Sequence, residues 1–229
     1  HYSPRSSGML TVEEQRAKVI AATRPLDAES VPLAQAAGRI LAATVHARVD
    51  VPLFDNSAMD GYAVLFTDVE SATAVHPVEL AVVADLPAGS ADEPELREGR
   101  AARIMTGAPV PHTATVVVPF EHTRDGLQAW DAPAIVVTAP TRAGANIRRR
   151  GEELRAGAVV ATAGTTLGPL QLTAIAATGI DTVPVHRRPR VAVISTGSEL
   201  ADPGADLARG KIPESNSVLL AALCAETGA

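Results

Sequence analysis

The segment DVPLFDNSAMDGYAV, Asp50–Val64, packs Asp50, Asp55 and Asp60 together with Asn56, Ser57 and Met59 into fifteen residues. Asn56, Ser57 and the Asp60-Gly61 dipeptide are common in loops and tight turns, and from spacing alone that structural reading is the more frequent one. The chemical reading is that Asp60, next to a glycine without bulk, presents a carboxylate to a ligand at close backbone approach. A second stretch, RIMTGAPVP (Arg103–Pro111), ends a strand run with Thr106-Gly107 and stiffens its exit with two prolines. Thr106 is suited to hydrogen-bond a ligand, although a turn threonine is the commoner case. Third is STGSELADPG, Ser195–Gly204, where Ser195, Thr196 and Gly197 offer hydroxyls and backbone N–H groups at the carboxyl end of an apolar run. Open α/β sheets bind ligands at such strand ends. Glu199 reads either as an acid favoured at a helix N-terminus or as a Mg²⁺ ligand, since Mg²⁺ takes only one or two carboxylates alongside phosphates. Arg148–Arg150 could hold phosphate, but Glu152 and Glu153 follow directly, so a self-neutralised turn or a domain-contact strand is an equal reading.

Other chemistries are absent from the sequence. There is no CxxC, HExxH or GxGxxG, and one cysteine, Cys224, allows neither an internal disulfide nor a thiolate cluster. The spacing from Gly204 to Gly210-Lys211 is one residue too long for a phosphate loop, and Ile212 stands where Ser or Thr would hold magnesium. A net charge of −6 argues against a nucleic-acid partner. With 3 Phe, 2 Tyr and 1 Trp, the chain has an aliphatic core and little material for stacking platforms. No apolar run approaches the ~20 residues that cross a bilayer, and a cytoplasmic location is expected.

The elements that must position these residues follow from pattern. Residues 1–8 are small and polar and read as the remnant of an expression tag. Thr11 and Glu14 form a capping box for a helix whose Val12, Arg16, Val19, Ile20 and Thr23 share a face, and Pro25 stops it. A short helix is predicted over Leu33–Ala37. Short β-type runs follow at Val78–Val83, Ala101–Met105, Thr115–Pro119 and Ile135–Val137. A further helix runs from Pro169 to Gly179, and Val191–Ser195 reads as a buried parallel strand leading to a helix over about Ser217–Thr227.

The predicted fold is therefore a mixed α/β and β, multidomain chain. A discontinuous α+β first domain (9–46 and 145–186) carries an inserted, mostly β domain (47–144), and a doubly wound α/β domain starts at 187. One strand and one helix cannot cover both faces of a sheet, so 187–229 reads as the truncated opening of a longer domain, and 1–229 alone is expected to be inactive.

DNSAMDGYAV, RIMTGAPVP, NIRRRGEE, AGT-x-L and VISTGSEL…PG occur in this order from about Met9 to Ala229. Together they resemble the first half of the MoeA family of molybdopterin molybdenumtransferases, related to the E domains of gephyrin and its plant counterpart. The resemblance implies that the doubly wound domain is MogA-like. It also implies insertion of molybdenum from molybdate into adenylylated molybdopterin, with release of AMP and dependence on Mg²⁺. The family's functional positions matched here are Asp60, Thr106 and Glu199, the first two orienting or polarising substrate and Glu199 helping to hold Mg²⁺. Ser198, Pro213 and Glu214 depart from the family's usual residues. The implied partners are a second copy of the chain, the pterin substrate and the molybdopterin adenylyltransferase. In the implied homodimer, Asp60 and Thr106 face the partner subunit's Glu199. Two other classes remain: a catalytically silent scaffold of the gephyrin E-domain type, and an unrelated α/β enzyme acting on a phosphorylated sugar or nucleotide.

Overall fold

The computed structural model describes residues 10–129, 131–139 and 141–229, so the predicted tag remnant lies outside the described residues. In chain order the elements begin with α1 (Val12–Ala22), β1 (Ala28–Pro32), β2 (Val45–His46), β3 (Asn56–Ser57), β4 (Gly61–Val64) and α2 (Phe66–Val69). Next come β5 (Val78–Leu86), β6 (Arg100–Ile104), β7 (Val116–Pro119), β8 (Ala134–Val137), β9 (Ile147–Arg148) and β10 (Val159–Ala161). The chain closes with α3 (Pro169–Ala177), β11 (Thr182–His186), β12 (Leu200–Ala201), β13 (Ile212–Pro213) and α4 (Asn216–Glu226). Two compact units result. One runs to Val45 and adds Val160–Ala176 and Ile180–Ala229; the other is His46–Val159 with Ala177–Gly179.

The second unit is built on a five-stranded sheet of order β7-β4-β6-β5-β8. β4 lies antiparallel to both β6 and β7, β5 runs parallel to β6, and β8 is antiparallel to β5. All four residues of β4 and of β7 are buried, because the sheet is apolar on both faces. Tyr62, Val64, Val116 and Val118 enter one core cluster, whereas Ala63, Ala102, Ile104 and Val117 enter another. The two-residue alternation of a strand sorts neighbours to opposite faces. Tyr62 meets Phe120 edge to face, with ring centroids 5.2 Å apart.

In the first unit β1 pairs antiparallel with β11 over Ala28–Pro32, and Leu41, Leu167, Ile175, Val183 and Val185 form an aliphatic core. The capping box of α1 is present: the Thr11 hydroxyl accepts from Glu14 N–H, and Glu14 accepts from Thr11 N–H. No residue of α1 is buried, however, and Val12, Val19 and Ile20 stay exposed. The capping box satisfies donors of the first turn and marks where the helix starts. No helix among the described residues is long and apolar enough to cross a membrane.

Two expectations are corrected. The helix predicted over Leu33–Ala37 is a single 3₁₀ turn, Leu33–Gln35, closed by Ala36 N–H donating to Leu33 O, before Gly38 at φ +72° redirects the chain. Val191–Ser195 is not a strand. Val191 is 55% and Ile194 80% exposed, and among the described residues no segment hydrogen-bonds alongside it. A parallel strand exists only with hydrogen-bonded neighbours, however apolar its own side chains are. α4 does form, over Asn216–Glu226.

Candidate functional site

The second unit brings two of the predicted residues together. Arg103–Pro111 runs beside Asp55–Asp60: Val110 N–H donates to Asp55 O, Ser57 N–H to Ala108 O and Gly107 N–H to Ser57 O, at 2.8–3.0 Å. Ala108 N–H returns to Met105 O, closing a turn whose third residue, Gly107, has φ +82°, a conformation that favours glycine. The turn leaves Thr106 with a free N–H and a free hydroxyl pointing the same way. Both donate to Asp60 Oδ1, at 2.7 Å each.

Asp60 is held from its own side as well. The Ser57 hydroxyl donates to Met59 O at 2.5 Å, Ala58 N–H donates to Asn146 O, and Phe120 N–H donates to Asp60 O. Asn146 itself sits at φ +59° and donates through Nδ2 to Val117 O. Gly61 is not at positive φ. It is glycine for close approach, since a Cβ there would lie 2.1 Å from Val118 O. The Asp60-Gly61 dipeptide is thus the entry to β4 rather than a primed hairpin turn.

The Thr106 backbone N–H, seconded by its hydroxyl, lowers the Asp60 pKa, so the carboxylate is ionised at neutral pH. Both residues are exposed, and among the described residues Oδ2 has no hydrogen-bond partner. A fixed anionic acceptor with one open oxygen can orient an N–H or O–H of a ligand. It is a poor proton donor.

The flanking acids of the same motif have structural work. Asp50 accepts from Ala156 N–H at 2.8 Å and from Arg150 Nε at 2.5 Å; Asp55 accepts from Arg150 N–H at 2.7 Å and Arg149 Nη1 at 2.6 Å. The arginine run is therefore neutralised chiefly from the DVPLFD segment, while Glu152 caps Arg149 N–H. Ala156 N–H and then Arg150 lower the Asp50 pKa; for Asp55 burial pushes upward, but the Arg150 N–H and Arg149 outweigh it. Depressed carboxylates contribute stability that is whole above the ordinary value of 3.8 and is lost as pH falls through the lower folded values. The urea midpoint of the chain should accordingly fall between about pH 5 and 3, and Asp55→Asn should flatten that fall. An equally steep fall in Asp55→Asn would remove Asp55 from the account.

The third predicted group, Ser195, Thr196, Gly197 and Glu199, belongs to the first unit and is exposed throughout. The Glu199 carboxylate folds over Gly197, so a Cβ there would meet Oε1 at 2.6 Å. Ile212 N–H donates to Glu199 O and Lys211 Nζ to Ser198 O, joining this loop to β13. Glu214, a departure from the family pattern, takes the Ser195 hydroxyl at 2.8 Å and Ser217 N–H at 2.9 Å, and also the Ser217 hydroxyl. The Ser217 hydroxyl and N–H, together with Ser195, hold the Glu214 pKa low. Glu214 carries no mark of a site residue in the sequence, because only the fold brings it to Ser195, 19 positions away.

Among the described residues no three His, Cys, Asp or Glu side chains converge as a metal cage. Mg²⁺ does not demand one, since one or two carboxylates with waters and phosphates fill its six positions. The exposed Glu199 carboxylate fits a one-oxygen share of such a shell.

A family model described as the MoeA N-terminal region (domain I and II) matches residues 10–179. Molybdopterin molybdenumtransferase 2 of Mycobacterium tuberculosis is 47% identical over 219 residues, which are 95% of this chain and 52% of that protein. The molybdopterin molybdenumtransferase of Nostoc is 42% identical over 203 residues, covering 89% of this chain and 45% of that one. The crystal structure of a molybdopterin biosynthesis MoeA protein from Pyrococcus horikoshii superposes with a TM-score of 0.78 at 36% identity, over 87% of this chain and 52% of that one. The chain thus spans about half the length of the relatives it matches. On the family match across 10–179 and these identities, the chain belongs to the MoeA family.

Proposed function

We propose that this chain serves molybdenum cofactor biosynthesis. In a protein of the relatives' length that includes it, molybdenum passes from molybdate into adenylylated molybdopterin and AMP is released. The observation that supports this reading is the Asp60 carboxylate, kept ionised and aimed by both donors of Thr106. Its open Oδ2 would accept an N–H or O–H of the pterin, fixing the substrate for reaction, which is the positioning component of catalysis. Thr106 sets that oxygen's direction. Glu199 would give one oxygen to Mg²⁺, which when bound neutralises charge on the substrate phosphates. Ser195, Thr196 and Gly197 would offer donors to the same anionic group.

The proposed assembly is a homodimer in which Asp60 and Thr106 work opposite the partner subunit's Glu199, with molybdopterin adenylyltransferase supplying substrate in the cytoplasm. The proposed domain division is a discontinuous 9–46 and 145–186, an inserted 47–144, and a doubly wound domain from 187.

AMP release from adenylylated molybdopterin, with molybdate and Mg²⁺, tests the reading. A polypeptide extended to the relatives' length should turn over, whereas residues 1–229 alone should not, because Glu199 gives Mg²⁺ a single protein oxygen of the six it takes. Equal turnover by both would overturn the role given to Glu199, and no molybdate-dependent AMP release by the extended protein would overturn the function.

A further inference from the structure

Asp60 and Thr106 are both exposed and stand on separate segments, 46 positions apart. Two donors meeting one carboxylate oxygen at 2.7 Å require those segments to be set within about 0.5 Å of each other. Strand pairing holds the segments but not the Met59–Asp60 peptide, which belongs to neither β3 nor β4. The group that reaches this peptide comes from Ser57.

Ser57 is fully buried, so its side chain touches no ligand. Its N–H donates to Ala108 O at 3.0 Å and its C=O accepts from Gly107 N–H at 2.8 Å, so its backbone holds the turn that presents Thr106. It also pairs with Ile147 across β3 and β9. Its hydroxyl donates to Met59 O at 2.5 Å, and Met59 N–H approaches the same hydroxyl oxygen at 3.3 Å, the closed turn that a serine makes with the backbone two residues on. Among the described residues no other donor reaches Met59 O. One residue thus grips the neighbour of each member of the pair, Met59 before Asp60 and Gly107 after Thr106. Asn56, buried beside it, does not: its Nδ2 donates upstream, to Phe54 O at 3.2 Å. Alanine at 57 would keep each of the backbone bonds and lose the hold on Met59 alone.

We infer that Ser57 is a positioning residue, presetting the Asp60 carboxylate against the Thr106 donors through Met59 on one side and Gly107 on the other. The consequence for turnover rests on the proposed function; the preset geometry is a property of the 229-residue chain itself. Such preorganisation places the cost of orienting the carboxylate in folding rather than in substrate binding.

Carbon-detected NMR of the Asp60 carboxyl, together with the Thr106 amide proton, tests this in Ser57→Ala of the 229-residue chain. In the parent, Asp60 titrates below the ordinary 3.8 because the Thr106 N–H and hydroxyl bind its ionised form. In Ser57→Ala the titration should move up towards that value, and the Thr106 amide should exchange with solvent about tenfold faster. Asn56→Ala is the structural control: it loses a buried hydrogen bond of the same segment, so its melting temperature should fall while the Asp60 and Thr106 signals stay with the parent. Ser57→Thr keeps the hydroxyl on a side chain suited to a strand, so its titration should stay near the parent's. In the extended protein, Ser57→Ala should lower kcat for AMP release about tenfold and shift the acid limb of the pH profile upward along with Asp60. The inference is overturned if Asp60 titrates in Ser57→Ala as in the parent, whatever the melting temperature does. It is overturned equally if Asn56→Ala moves the titration as far, or if Ser57→Thr titrates like Ser57→Ala. Absence of AMP release from the extended parent would remove the proposed function and leave the NMR result standing, whereas an unmoved titration would leave the parent's turnover untouched.

Discussion

Replacing Gly61 with alanine should destabilise the second unit by on the order of 3 kcal/mol, a large part of a typical domain's total. The added Cβ would lie 2.1 Å from Val118 O and 2.9 Å from the Cα of Pro119. Both are backbone atoms of the neighbouring strand, so no side chain can swing aside. β4 would have to leave β7, which breaks the pairing of Gly61–Val64 with Val116–Pro119 in the most buried part of the sheet. A fall in melting temperature of roughly 10 °C or more is expected. Gly107→Ala is the control: there a Cβ meets nothing within 4 Å, and only the positive φ resists, at about 1–2 kcal/mol. Should Gly61→Ala melt no lower than Gly107→Ala, the close approach would not be what makes this position glycine.

Asp60→Asn in the extended protein should lower molybdate-dependent AMP release on the order of 10²-fold while leaving the melting temperature almost unmoved. The amide keeps an acceptor oxygen for the two Thr106 donors, so the local structure has little to lose. It removes the charge and replaces the open Oδ2 with an N–H₂ donor or leaves a neutral, weaker acceptor. A residue needed only for a turn would tolerate this. The contrast between lost turnover and retained stability separates the two readings of the DNSAMDGYAV segment.

Where the information is local, the sequence carried the fold well. Thr11 and Glu14 announce α1, Pro169 and Gly179 bracket α3, and the apolar runs near 78, 101, 115 and 135 become β5 to β8 within three residues at each end. What was hidden is pairing. β1 and β11 are a strand pair separated by some 150 residues, and the two-residue β3 and β9 are too short to show a period. Val191–Ser195 shows the converse, since an apolar run states a preference that only neighbouring strands can realise. At the site, Asp60 and Thr106 each stood out by type and surroundings, but their shared hydrogen bonds span 46 positions, a distance no local motif encodes. The clamp of Asp50 and Asp55 on the arginine run stayed invisible for the same reason, with partners about 95–106 positions away. Asn146 did leave a signal: a non-glycine in the left-handed region is most often Asn or Asp, and it stands directly before β9.

If Asp60 and Thr106 act as one unit in the proposed reaction, a double-mutant cycle on AMP release shows it. Asp60→Asn, Thr106→Val and the double variant would be compared in the extended protein at saturating molybdate and Mg²⁺. Thr106→Val keeps the backbone N–H to Oδ1 but removes the hydroxyl, so it should cost less than Asp60→Asn, about tenfold. Because Thr106 acts through the carboxylate it aims, the double variant should be hardly slower than Asp60→Asn alone. Losses that multiply would mean that the two residues serve separate purposes, and unchanged turnover in Asp60→Asn would return the whole segment to a structural role.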